Sequence, residues 1–416
     1  MRRLFTATAL LALAALSACA MTDSNVIVAE GVRRETPVDP PVTETVRGLT
    51  AFGHALFAGT AAPGANAVLS PLSIGYAFGM ARAGATGDTA AQLDRVFGFP
   101  ARGPHTALNA LTRRIVTTDG PPPRTEPGTE RDAQAEPEPP VVAIANGLFA
   151  QEGLSVRPEF LRTLAAQYGT GVRPVDFARD AAQVIDAWVE RETAGRITKV
   201  FDRLDPRTRL VLANAVYLKA EWETPFTDPP ERGAAFTRAD GTTVRTDLMH
   251  RSGAIPYATG DGWQAVELRY AKGELAMWIM IPQAGGAPAG LLTPEVLAQV
   301  ATGLKEHQVR ISIPRWDFST SLGLGEPLGA LGLTATGYSG IADDASLGQA
   351  IHRATVTVDE WGTEAAAVTG LAFTVAAPPE PQVEVRADRP FAFAIVHRPT
   401  LTPLFIGQVA DPTAKG

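Results

Sequence analysis

Between Thr355 and Ala377 the chain passes from a strand into a run of small residues, where an ordinary loop would be expected. Thr355 to Val358 is β-prone, and Asp359-Glu360-Trp361-Gly362 reads as a turn or strand end. Beyond it stand Thr363, Glu364, Ala365, Ala366, Ala367, Val368 and Thr369, without the Pro, Asn, Asp or Ser that exposed loops favour. On a two-residue period Thr363, Ala365, Ala367 and Thr369 share one face, while Glu364 and Val368 take the other. A face of small side chains suits a strand that must enter between others over a packed core, where any large side chain would overpack it. The same residue types also suit an Ala-rich helix, so the pattern alone leaves two readings open.

The N-terminus has a different logic. Met1-Arg2-Arg3 precedes an uncharged apolar run from Leu4 to Leu16, and Ser17-Ala18-Cys19 follows. These are the basic, apolar and small-residue regions of a secretory leader, and the apolar run is short for a membrane-spanning helix. Leu16-Ser17-Ala18-Cys19 resembles a bacterial lipobox, in which the cysteine carries lipid as the first mature residue. Cys19 is the only cysteine of the chain, so the folded body has no disulfide and depends on core burial. With 416 residues, 45% of them hydrophobic, material for that core is ample. A formal charge of −7 provides no basic field for nucleic acid, and the six histidines show no metal-ligand spacing.

Length alone favours two or three domains. Residues 19–43 are polar, with Pro37, Pro40 and Pro41, and read as a tether. The body starts near Glu44, where Val46, Leu49, Phe52 and Leu56 recur at helical spacing. Residues 119–140 are rich in Pro, Glu and Thr with little to bury, which gives either a disordered insertion or a domain boundary. Pro71 suits the first turn of a helix and Ser70 can cap it, and a helix is expected from Leu72 to about Arg82. Leu210 to Leu218 reads as a buried strand, and Asp240-Gly241 is a better hairpin signal than Asp261-Gly262.

Several of these segments carry one resemblance. Glu360-Trp361-Gly362-Thr363-Glu364-Ala365-Ala366-Ala367 resembles the proximal hinge of the serpin family, which joins a central-sheet strand to the reactive-centre loop. Asn66 to Ile74, Gly84-Ala85-Thr86-Gly87, Ala145 to Phe149, Leu210 to Trp222 and Thr402 to Pro412 are also similar to serpin segments and occur in the family's order. The resemblance implies an α+β serpin fold: a large mixed central β-sheet, two further sheets, about eight to nine helices and an exposed reactive-centre loop. It also implies one domain over residues 44–416 after a leader at 1–18, with 119–140 as an insertion and 361–384 as the loop.

Candidate site residues follow from the same resemblance. Ser70, Ser73, Asn214 and His352 match the shutter, where the sheet strands part; such groups can satisfy one another in a buried cluster. Trp222, Arg315 and Glu360 match the breach at the top of the sheet, with Arg315 paired to Glu360. At the family's usual loop length counted from Glu360, Ala376 precedes the scissile bond and Ala377 follows it. Thr374 and Val375 complete a bait suited to elastase-like or subtilisin-like serine proteases; no Arg or Lys lies between Glu364 and Glu380 for a trypsin-like one.

Catalytic chemistry of the chain's own is not expected. Gly337-Tyr338-Ser339-Gly340-Ile341 lacks the last glycine of a nucleophile elbow, and no phosphate loop, zinc helix or dinucleotide fingerprint occurs. No cofactor or metal is expected. Arg113-Arg114 lacks the basic cluster of heparin-binding serpins, so heparin is not an expected partner. A monomeric protease inhibitor is expected, exported and held by lipid on Cys19 to the envelope, with the outer membrane favoured, or placed at the cell surface or outside the cell. A non-inhibitory serpin acting as a binding or chaperone-like module is the alternative. Three departures from the family pattern stand out: Trp361 where a polar residue is usual, the bulkier Val368, and a longer run from Ala377 to Arg389-Pro390-Phe391.

Overall fold

The computed structural model describes residues 26–118, 120–124, 135–335, 337–343, 345–364 and 381–414. Among them are eight α-helices: α1 Val42–Thr60, α2 Pro71–Arg82, α3 Gly87–Phe97, α4 His105–Ile115, α5 Pro158–Thr163, α6 Ala181–Glu192, α7 Pro294–Gly303 and α8 Gly325–Ala330. Two of them, α2 and α7, start on a side-chain cap followed by proline. At α2, Pro71 occupies the first turn and Ser70 Oγ accepts the Ser73 N–H at 3.2 Å.

The central sheet is mixed and has six strands: β1 Val141–Gln151, β2 Val172–Val175, β3 Leu210–Glu221, β4 Trp316–Gly323, β5 Leu347–Val358 and β6 Gly362–Thr363. Their order is β4-β5-β6-β3-β1-β2, and β5 also pairs in parallel with β3. An apolar run on β3 is what a strand covered on both faces requires, and all its residues except Lys219 are buried. On one face α6 packs through Ile185, Trp188 and Val189 against Phe149, Val211 and Ala213. On the other α2 lies against β1 and β3 and continues into the main core.

The remaining strands form one nine-stranded sheet. The two further sheets expected from the resemblance are continuous because the long strand Thr243–Gly260 pairs with Asp228–Thr237 near its start and Trp263–Arg269 near its end. Lys305–Pro314 runs along it across both regions.

Three expected boundaries move. The tether of residues 19–43 is docked over its described part. Ile27 and Val172 exchange backbone hydrogen bonds at 2.8 and 3.0 Å, and Arg34 bonds Asn109 Oδ1 at 2.9 Å and Thr112 Oγ1 at 2.6 Å. The far end of the 119–140 insertion is held to the sheet, with the Glu138 N–H donating to Glu221 Oε2 at 3.1 Å and Lys272 bonding Glu136 at 3.0 Å. The loop expected over 361–384 is narrower, since Gly362–Thr363 and Val383–Arg386 are both strands. Backbone groups that find partners at a strand edge leave the loop register, and the composition of these segments carries no sign of that.

Candidate functional site

The site is the upper half of the central sheet. Parallel pairing of β5 with β3 runs from Leu347 beside Leu210 to Arg353 beside Ala215. Higher up, β6 lies between them: Thr363 pairs with Val358 of β5, while Gly362 and Thr363 pair with Glu221 and Ala220 of β3. The first residues beyond the hinge turn are therefore already a short strand between two others. Gly362 is required there, because a Cβ at this position would stand 2.1 Å from Ala220 O and 2.8 Å from Glu221 Cα. Thr363 is buried and its hydroxyl meets Tyr270 Oη at 2.6 Å.

The turn into β6 is held from several sides. Asp359 accepts the N–H groups of Trp361 at 2.7 Å and Gly362 at 3.1 Å. Burial nevertheless pushes its carboxyl up to about 6, against the pull of those two donors. The Trp222 indole N–H donates to Asp359 O at 3.0 Å, its backbone N–H donates to Trp361 O at 2.8 Å, and its ring stacks on Tyr270 with centroids 4.5 Å apart. Arg315 Nε donates to Glu360 Oε1 at 2.8 Å and its Nη2 bonds the same oxygen. Trp222, Arg315 and Glu360 thus gather at one turn, Trp222 gripping its backbone and Arg315 the Glu360 carboxylate.

Below β6 the strand period breaks. Glu364 takes a left-handed backbone at φ 57°, which ends the extended geometry of Gly362–Thr363. Its carboxylate lies 3.3 Å from Arg196 Nε, and Arg196 Nη2 donates to Thr357 Oγ1 at 2.7 Å, tying the segment after α6 to β5 and the hinge. Burial pushes the Glu364 carboxyl up to about 7; Arg196 and Tyr217 offset only part of that. Residues 365–380, with the hinge positions Ala365, Ala366, Ala367 and Thr369 and the inferred bond Ala376-Ala377 flanked by Thr374 and Val375, lie outside the described residues, as does Cys19.

Deeper in the sheet the four shutter candidates converge. The Ser70 N–H donates to His352 Nε2 at 3.0 Å, so this nitrogen carries no proton and Nδ1–H must donate to Asn214 Oδ1 at 2.5 Å. Asn214 Nδ2 in turn faces Ser73 O at 2.7 Å, Ser73 Oγ at 2.6 Å and Asn146 Oδ1 at 2.5 Å. His352 is fully buried, and burial pushes its imidazole down to about 3, which keeps it neutral. A serine hydroxyl beside a free imidazole nitrogen would be needed for nucleophilic chemistry, and here that nitrogen is occupied by a backbone amide.

Sequence reasoning missed Asn146, Tyr270 and Arg196. Asn146 lies in the quoted strand motif and sits opposite Asn214 in the β1–β3 register, a pairing that only the register reveals. Tyr270 and Arg196 come from segments with no local motif.

A mixed six-stranded sheet with a hinge strand seated in its top, over a buried Ser-His-Asn cluster, defines the serpin class of architecture. The structure matches a crystal structure of a thermophilic serpin, tengpin, in the native state, with a TM-score of 0.78, 24% identity, and coverage of 92% of this chain and 97% of that one. The profile described as "Serpin (serine protease inhibitor)" matches residues 47–412. An uncharacterized serpin-like protein of Thermococcus kodakarensis is 32% identical over 88% of this chain and 85% of its own length. Leukocyte elastase inhibitor of Bos taurus is 32% identical over 84% of this chain and 94% of its own. The chain belongs to the serpin family.

Proposed function

We propose that this serpin inhibits serine endopeptidases of elastase-like or subtilisin-like preference by suicide trapping. The protease's serine attacks the Ala376 carbonyl, so that an ester to Ala376 forms as the amide bond to Ala377 breaks and the Ala377 amine leaves; the chain from Thr363 onward then enters the central sheet between β5 and β3, carrying the acylated enzyme with it. No group of the serpin is catalytic. The driving force is strand addition, which pairs backbone donors and acceptors along both neighbours. The observation that supports this reading best is the position of Gly362–Thr363, paired on one side with β5 and on the other with β3. It is the place from which an entering strand would propagate, and the next residues of the sequence, Ala365, Ala366 and Ala367, are small enough to follow. The bait Thr374-Val375-Ala376 suits a small primary pocket, and one relative is a leukocyte elastase inhibitor.

Arg315–Glu360 and the Ser70-Ser73-Asn214-His352 cluster act in this reading as the upper and middle restraints on opening. Lipid on Cys19 holds the monomer at the envelope, the outer membrane being favoured. Incubation with pancreatic elastase or subtilisin should give a denaturant-stable complex on a gel and release a fragment beginning at or within one or two residues of Ala377. Rapid cleavage without any such complex would instead support a binding or chaperone-like role, as would be consistent with a solved thyroxine-binding globulin of similar fold.

A further inference from the structure

The strap that precedes α1 is apolar on its outside. Among the described residues five large hydrophobic side chains are exposed, and three of them, Ile27 at 38%, Val28 at 50% and Val38 at 92%, lie within twelve residues of this strap. The other two, Val184 on α6 and Leu401 before the last strand, stand singly, as surface apolar groups of folded proteins commonly do. A fixed backbone imposes the exposure. Ile27 exchanges hydrogen bonds with Val172 at the edge of the central sheet, the Glu35 N–H donates to Ala166 O at 2.7 Å, and Asn109 Nδ2 donates to Glu35 O at 3.0 Å. Between Pro37 and Pro40 the chain turns with Asp39 at φ 46°, and the Val42 N–H closes onto Pro40 O at 2.7 Å. Pinned on both sides, the backbone keeps the Val38 side chain in solvent.

Reach decides what such a strap can meet. Seven residues lead from Cys19 to Val26, and seven residues span at most about 25 Å however they are arranged. A folded body of this length is about 55 Å across. With lipid on Cys19, the side of the body that carries the strap is therefore the side that faces the bilayer. The charges of the strap nearly cancel, with Arg33 and Arg34 against Glu30, Glu35 and Asp39, so it presents apolar contact without a basic field. Three part-exposed aliphatic side chains are too little to hold a free protein on a membrane. A short tether, however, keeps them at millimolar effective concentration, where a weak contact is populated.

We propose that residues 27–38 form a membrane-contact face, on which the lipid-anchored protein lies with Val28 and Val38 in the headgroup layer of a phospholipid bilayer. The proposal rests on the lipid-anchor reading above. Because the strap is fastened to β2, that edge of the central sheet lies toward the bilayer and the β4 edge away from it.

The test takes the chain from Cys19 to Gly416 and couples its only thiol to a maleimide lipid in phosphatidylcholine vesicles; the control is the same chain capped with a soluble maleimide. Coupling supplies the anchor by chemistry, so failure of the contact and failure of lipidation in the cell are separate results. Hydroxyl-radical labelling read by mass spectrometry should fall at least about threefold at Val28 and Val38 on vesicles, as for a contact populated most of the time, and stay unchanged at Val184 and Leu401. Raising salt from about 0.1 to about 0.5 M should leave that protection in place, since the contact is apolar. Val28→Asp should return Val38 to its solution labelling, and Val38→Asp, at the most exposed position, should do the same for Val28. Should Val28→Asp disturb the strap, Val38→Asp carries the test. The proposal is overturned by equal labelling of Val28 and Val38 on and off vesicles, by protection that extends equally to Val184 and Leu401, by protection lost in salt, or by protection that survives both substitutions. A dimer of the capped chain that already shields Val28 and Val38 in solution would also overturn it, since a second copy would then be the occupant.

Discussion

His352 shows how much one residue can specify when its protonation is fixed. With Nε2 held by the Ser70 amide and Nδ1 by Asn214, its removal strands a buried donor and a buried acceptor, a loss of about 2–4 kcal/mol. His352→Ala should unfold at lower temperature and form oligomers on warming that size-exclusion chromatography resolves; an unchanged melting point with no oligomers would contradict the restraining role. Glu364 should give a pH signature. Its folded carboxyl titrates at about 7, above its ordinary value of 4.5, so the folded state holds more protons between these values. Its contribution is therefore fully present below pH 4.5 and is lost as pH rises through 7. The melting temperature of the native chain minus that of Glu364→Gln should become more positive by about 2 °C or more on going from pH 8 to pH 5; a flat difference would refute the burial assignment. Ser70, Ser73, Asn214 and His352 stood out in the sequence by type and motif, and the structure brings them into one buried cluster. Asn146 was not, because an asparagine in a strand gains meaning only from what the register sets opposite it.

At the level of elements, Gly362 decides whether β6 exists. Gly362→Ala places a Cβ against the β3 backbone and should unseat Gly362–Thr363, freeing the Tyr270 hydroxyl. Faster proteolysis in the hinge and faster hydrogen exchange at Thr363 are expected; wild-type exchange there would contradict the seating. The segment before α1 makes a second case. Its prolines and polar residues read as a tether, yet one backbone exchange at Ile27 and one guanidinium at Arg34 dock it. Arg34→Ala should lower stability by about 1–3 kcal/mol and accelerate exchange at the Val172 amide, whose acceptor is Ile27 O. No change in Val172 exchange would mean that the strap is held without Arg34. Such docking is hard to read from sequence, since it uses a backbone pair that any residue could make and an arginine in no local motif. Turn chemistry was only partly legible too. Asp261-Gly262 makes the two-residue turn between Gly260 and Trp263, whereas the favoured Asp240-Gly241 sits in a longer connection between Thr237 and Thr243.

For the whole molecule, the order of motifs along the chain made the serpin fold legible, and the central sheet explains why that order matters. β3 and β5 come from distant parts of the sequence and meet in parallel only up to Arg353 and Ala215, with the hinge seated just above. In the proposed mechanism the chain after Thr363 enters this sheet on cleavage, and the form with that strand inserted is the more stable one. About ten inserted residues would pair about twenty backbone groups on the two sides, less the bonds given up where β5 now pairs with β3 from Leu347 to Arg353, a net gain on the order of ten bonds at about 1 kcal/mol each. The direct test is to nick the loop near Ala376 with a protease that is not trapped and to compare thermal unfolding of the intact and nicked chains. The nicked protein should unfold more than about 10 °C higher, with slowed exchange along β3 and β5. Equal or lower unfolding temperature after cleavage would contradict loop insertion as the working stroke of this serpin.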